Sequence, residues 1–237
     1  MQLAAFPIMI GRFDGWEIFL IAAIILCLFG ARRLPNLIEG LRRGMEEFVK
    51  ATSDVSKDLR RPKFSFELWL AQGFFVGRIP IMPGTFGSLV GLLWFMLLLT
   101  MGNFWLYLLG SFAGIGLSIL FCDAAEKILG EKDPGSVVLD EIAALPVCFL
   151  AWVGILHFKE GFLPEPGYFF SPANWPLTLG VFTLFRFFDV VKPWPVRQSQ
   201  SLPGGWGVTV DDVLAAIYVN LVALLVYAGK TVFSHPG

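Results

Sequence analysis

The sequence predicts an all-α membrane protein: a short N-terminal transmembrane helix followed by an amphipathic surface helix, then a compact polytopic bundle of about five spanning helices. Three observations predict it. Hydrophobic residues make up 56% of the 237 and charged residues 16%, with a mean hydropathy of +0.68, well above what a water-soluble domain of this size carries. The apolar residues gather into runs close to the ~20 residues that a helix needs to cross a bilayer. The Lys and Arg residues collect on one side of the alternation that those runs create. Basic and acidic residues number 18 and 19, for a net charge of −1, so nothing biases the chain toward nucleic acid.

The first apolar run, Trp16 to Phe29, carries one charge, Glu17. As a helix it spans roughly 21 Å, short for a hydrocarbon core of about 30 Å. A cleaved signal peptide would end in small residues, whereas this run ends in Ala31-Arg32-Arg33-Leu34-Pro35, which marks a retained anchor. Beyond Gly30, Leu34, Leu37, Ile38, Leu41, Met45, Phe48 and Val49 recur at spacings of three and four, with Arg42, Arg43, Glu46, Glu47 and Lys50 elsewhere around the helix. That pattern predicts an amphipathic helix on a membrane surface. Polar residues from Ala51 to Lys63 then form a linker. The boundary is set at Pro62, giving a module at residues 1–62 and a membrane domain at residues 63–237.

In the second module, apolar runs cover about Ser88–Met101, Phe104–Phe121, Ile142–Leu156, Leu177–Phe188 and Val208–Tyr227, while Phe66–Phe75 is too short to cross and is expected to be re-entrant or interfacial. If the first helix runs from outside to inside, 15 of the 18 basic residues fall on the cytoplasmic side. The same topology brings the Pro80–Ser88, Asp123–Glu141 and Arg186–Asp212 stretches to that face. The three cysteines, Cys27, Cys122 and Cys148, lie in or beside apolar runs without CxxC spacing and are read as buried thiols. With only His157 and His235 available, a histidine-based site is not expected, and chemistry must rest on carboxylates, Arg and Lys.

Three polar clusters interrupt the apolar chain. Gly77 to Ser88 contains two prolines, three glycines and Arg78, which predicts a fixed, non-helical turn able to aim N–H groups and hydroxyls at an anion such as phosphate. Asp133-Pro134-Gly135-Ser136-Val137-Val138-Leu139-Asp140-Glu141 leads straight into an apolar run, and carboxylates at the mouth of a membrane helix are costly unless paired or bound to a cation. The third cluster holds Arg186, Asp189 and Lys192 at spacings of three, then Asp211-Asp212 at the opening of the last apolar run. Helix capping, snorkelling and an ion-pair ladder are the structural alternatives for these charges. Hard cations such as magnesium take a few carboxylates and keep positions for substrate phosphate oxygens, so the set fits metal-assisted phosphoryl chemistry. A water or an aspartate could serve as nucleophile.

Together, PGTFGS at Pro83–Ser88, D-x-G-S-x-V-x-D-E at Asp133–Glu141, FRFFDVVKPWPV at Phe185–Val196 and GGWGVTVDD at Gly204–Asp212 resemble the phosphatidylglycerophosphatase A family over residues 66–227. The resemblance implies a magnesium-dependent lipid phosphatase of a bacterial inner membrane, acting on the phosphomonoester of phosphatidylglycerophosphate at the cytoplasmic face. It implies Asp140, Glu141, Asp189, Asp211 and Asp212 as catalytic candidates and Asp133, Asp140, Glu141, Asp211 and Asp212 as metal ligands. Arg186, Lys192, Thr85 and Ser88 are the candidate phosphate contacts. Ala143-Ala144 and Ala215-Ala216 stand where the family pattern has glycine, a departure expected to bear on packing.

The Glu17-containing helix, the Phe29-Gly30 hinge, Leu34-Pro35 and the amphipathic helix resemble the TatA/TatB family of twin-arginine translocase subunits at residues 13–58. This implies translocase components or further copies of the chain as partners through residues 1–62. The competing reading of the whole is therefore a translocase subunit with a structural C-terminal bundle. A cation transporter fits less well, because the acids cluster at loop entrances on one face, not at the midplane.

Overall fold

The computed structural model describes residues 65–234. The anchor and surface helix expected at residues 13–58, with Cys27 and His235, lie outside the described residues. Among the described residues every regular element is helical: α1 (Phe66–Ala71), a 3₁₀ turn (Val76–Arg78), α2 (Pro83–Thr100), α3 (Phe104–Leu129), α4 (Leu139–Cys148), α5 (Leu150–Lys159), α6 (Pro166–Phe169), α7 (Trp175–Val191), α8 (Val196–Ser199) and α9 (Gly205–Ser234). Four helical stretches are long and apolar enough to cross a membrane: α2, α3, the α4–α5 pair and α9 down to Gly229. A fifth, α7, has 17 residues, about 26 Å at the helical rise. Thr178 near its start donates to the Phe169 carbonyl, and Arg186 near its finish reaches Ser88 and Glu141.

The centre of the bundle is α4, packed against α2, α3 and α9. Its sequence is apolar on every side from Ile142 to Cys148, and all seven of those residues are buried, as expected of a helix with no solvent or lipid face. Small residues allow this enclosure. A Cβ added at Gly91 would press on the Leu145 side chain, and Ala143, Ala144, Ala215 and Ala216 are all at most 2% exposed. All four of these alanines thus sit at packing positions.

Two segments differ in detail from the expectation. The Ile142–Leu156 run lies within one candidate span, but its helix breaks at Phe149, three residues after Pro146. There the Asn220 side chain of α9 enters the helical ladder, its amide donating to the Val147 carbonyl and its oxygen accepting from the Ala151 N–H, each at 2.7 Å. That is the bond that an unbroken helix would make directly between residues 147 and 151, and side-chain insertion is a known cause of such kinks. The Pro/Gly stretch is corrected. Only residues 79–82 are irregular, and Pro83 to Ser88 form the first turns of α2, since proline is well suited to the first helical position.

Candidate active site

The N-termini of α2, α4 and α9 and the C-terminus of α7 meet at one end of the bundle, and the four sequence motifs meet with them. Gly84 and Gly87 explain how α2 comes so close. A Cβ at Gly84 would collide with the Glu141 carboxylate and crowd the Arg186 guanidinium, and one at Gly87 would press on Val138. The glycines of the PGTFGS motif therefore serve close helix approach inside a helix and not a loop geometry.

Glu141, in the first turn of α4, faces Arg186 of α7, with Arg186 Nη1 3.5 Å from Glu141 Oε1 and 3.0 Å from Asp189 Oδ2. The same Nη1 donates to Ser88 Oγ at 3.1 Å, while the Ser88 hydroxyl donates to the Gly84 carbonyl at 2.9 Å. Ser88 is fully buried, so its visible task is to orient Arg186. Thr85 lies half-buried on the first turn of α2, one residue beyond Gly84.

The expected line of Arg186, Asp189 and Lys192 holds for its first two members only. Lys192 is the left-handed cap that ends α7, with φ 46°, and this turns its side chain across to α9. There its Nζ meets Asp211 Oδ2 at 2.6 Å. Burial by itself would lower the Lys192 ammonium, but the hydrogen bond and charge of Asp211, backed by Asp189 and Asp212, hold it above the ordinary lysine value.

Asp211 and Asp212 do not open α9, as the sequence suggested; they lie six and seven residues past its first residue, Gly205, at 3% and 2% exposure. Asp211 is fully engaged. Its Oδ1 accepts the Asp212 N–H, and its Oδ2 accepts from Lys192 and from Gln200 Nε2 at 3.1 Å. Gln200 was not foreseen from sequence, because a lone Gln in a Ser/Gln-rich stretch carries no motif.

Asp140 and Asp212 differ from Asp211. Among the described residues, four buried side-chain polar atoms lack any hydrogen-bond partner, and three of them are carboxylate oxygens here: Asp140 Oδ1, Glu141 Oε2 and Asp212 Oδ2. Asp133 stands above them in an exposed loop, with φ 51° and its N–H bonded to Glu126, within electrostatic range of Asp140, Glu141 and Asp211. Six carboxyl groups thus face two basic side chains. Buried carboxylate oxygens without partners are costly unless the group is protonated, paired or bound to a cation. The donor set, all oxygen and all carboxylate, suits a hard divalent cation. Among the described residues no three His, Cys, Asp or Glu side chains already stand close enough to hold one metal ion together, so cation binding would draw Asp140, Glu141 and Asp212 inward.

The family model described as phosphatidylglycerophosphatase A matches residues 69–227, a range that includes every residue of this cluster. The chain belongs to the phosphatidylglycerophosphatase A family. A phosphatidylglycerophosphatase A from Haemophilus influenzae is 33% identical over 158 residues, covering 66% of this chain and 86% of the relative. The Escherichia coli protein of that name is 32% identical over 167 residues, covering 69% and 84%. A Bacteroides thetaiotaomicron relative, provisionally named a phosphatidylinositol-3-phosphatase, is 33% identical over 168 residues, covering 68% and 92%. The family member is thus an enzyme, a phosphatase. Residues 11–58 match the mttA/Hcf106 family model, and the TatA translocase protein of Chlorobium phaeobacteroides is 49% identical over 47 residues, 20% of this chain and 72% of that protein. The chain is a fusion of the two kinds. No solved structure matches it.

Proposed function

We propose that the chain hydrolyses the phosphomonoester of phosphatidylglycerophosphate to phosphatidylglycerol and inorganic phosphate, with magnesium held by Asp140, Glu141 and Asp212. The observation that carries the reading is the presence of three unpartnered buried carboxylate oxygens at one end of the bundle, with an Arg and a Lys beside them. When bound, the cation would neutralise the phosphate and favour a nucleophile formed from water. Arg186, steadied by Ser88 and Asp189, is aimed to take equatorial phosphate oxygens by exchanging its contact with Glu141. Lys192, fixed by Asp211 and Gln200, supplies the second positive charge. In the reaction the ester P–O bond breaks, a new P–O bond forms to water or first to an aspartate, and the departing glycerol oxygen takes a proton. Thr85, at the start of α2, is the remaining proposed phosphate contact, near the positive end of that helix. Asp133 would serve as a lid carboxylate over the cation.

The Lys/Arg bias supports a site facing the cytoplasm across a bacterial inner membrane. The substrate's acyl chains would then stay in the bilayer while its headgroup enters the site. The match of residues 11–58 to the translocase family supports a second role, in which that module associates with twin-arginine translocase components or further copies of the chain. The test is phosphate release from phosphatidylglycerophosphate by the purified full chain with and without magnesium. Magnesium-dependent release is expected; none from well-folded protein removes the phosphatase reading and leaves translocation as the function to test.

A further inference from the structure

At the same end of the bundle, outside the acidic cluster, a short strap from Gly73 to Met82 carries a third basic side chain in an unusual setting. Gly73, Phe74 and Phe75 are consecutive left-handed residues, with φ of 54°, 59° and 75°, and Met82 is another at 50°. Two phenylalanines in that region are strained, and such strain persists where the surroundings enforce it for a purpose. Its visible result is that Phe74, Phe75, Ile81 and Met82 stand 44–68% exposed. Between them lies Arg78.

The Arg78 guanidinium is preset. Its Nε donates to Gln72 Oε1 at 2.7 Å, and Gln72, only 4% exposed, is itself fixed through Nε2 to Ser136 Oγ at 3.1 Å. The guanidinium carbon lies 4.6 Å from the centre of the Phe75 ring, a cation–π distance. These contacts hold the Nε edge and one face of the guanidinium. Arg186 and Lys192 are tied to carboxylates, whereas among the described residues Arg78 forms no ion pair. A buried glutamine orients an exposed arginine that lies over Phe75, and Phe74, Ile81 and Met82 are exposed on the same strap, a combination suited to a ligand with both a phosphate and hydrocarbon.

We propose that Arg78 binds the phosphodiester of a phospholipid through its Nη edge, with Phe75, Ile81 and Met82 against the glycerol and first chain carbons. Arginine's fork suits phosphate oxygens, and aromatic side chains are at home in the headgroup region. The lipid is the substrate itself or a neighbour in the bilayer; only the first source rests on the phosphatase reading. The Gly77 turn is pressed against the Ser136 carbonyl, so the seat is built onto the loop that leads to Asp140.

The test is a titration of the detergent-purified full chain with dihexanoyl phosphatidylglycerol, read by thermal unfolding. The midpoint of the wild type is expected to rise saturably, with Arg78→Gln requiring roughly tenfold more lipid for the same rise and Arg78→Lys falling between them. Arg197→Gln, an exposed arginine elsewhere, should follow the wild type. Coincident curves for wild type and Arg78→Gln would overturn the site, as would an equal Arg78-dependent rise with inorganic phosphate alone. If the same lipid competes with hydrolysis through Arg78, the seat belongs to the substrate; if it stabilises without competing, it belongs to a neighbouring lipid. Lipid stabilisation through Arg78 without any phosphate release would keep the seat and sink the phosphatase reading.

Discussion

The middle of the bundle and its site end are built on opposite terms. In the middle, where α4 gives way to α5, Phe95 and Phe149 stack with centroids 4.1 Å apart, Phe169 meets both edge-on at 4.9 and 5.8 Å, and Tyr107 meets Phe95 at 6.1 Å. All four rings are fully buried, and the Tyr107 hydroxyl donates to the Pro146 carbonyl, which also accepts the Phe149 N–H at the break. At the site end, glycines replace rings, carboxylates crowd together, and three of their oxygens have no partner. The difference teaches where stability is generated and where it is spent: aromatic packing holds α4 in place so that its first turn can carry charges that would not fold together alone.

That contrast can be broken from either side. The largest effect is expected at the site: Asp140→Asn or Asp212→Asn should lower phosphate release at least about a hundredfold. The thermal midpoint of both variants should hold or rise, because an uncompensated buried charge is removed; a midpoint that falls with the activity would mean a structural role. Phe149→Ala should act in the opposite sense, destabilising by about 3–5 kcal/mol in an unfolding titration in micelles while kcat of the folded fraction is kept. Asn220→Leu, which strands the Val147 carbonyl and the Ala151 N–H inside the bundle, should cost about 1–3 kcal/mol by the same titration. The smallest effect is expected for Ser88→Ala, about 0.5–1.5 kcal/mol, with a severalfold rise in KM, because Arg186 loses one anchor but keeps Glu141 and Asp189.

Much of this contrast was legible in the residues. Apolar runs locate helices because a bilayer admits little else, and adjacent acids at their ends announce a site because burial without purpose is costly. What stayed hidden depends on three-dimensional approach. Pro and Gly in PGTFGS read equally well as a turn or as a helix start with a flat face, and only the nearness of Glu141 decides between them. Pro146 disturbs the helix only upstream, at the Ile142 carbonyl; the break at Phe149 goes with the insertion of Asn220, more than 70 residues away and on no motif. Asp211 and Asp212 are neighbours in sequence, yet one is saturated by Lys192 and Gln200 while the other is left open, a division that spacing cannot express.

The central claim is that Asp140, Glu141 and Asp212 form one cation site, and the most direct measurement is the binding of Mn²⁺, standing in for magnesium, to the purified full chain by electron paramagnetic resonance. Wild type and Asp123→Asn, whose exposed carboxylate pairs with Lys127 outside the cluster, should bind the ion alike, with Asp140→Asn and Asp212→Asn each losing it. Undiminished binding in both folded site variants would contradict the claim.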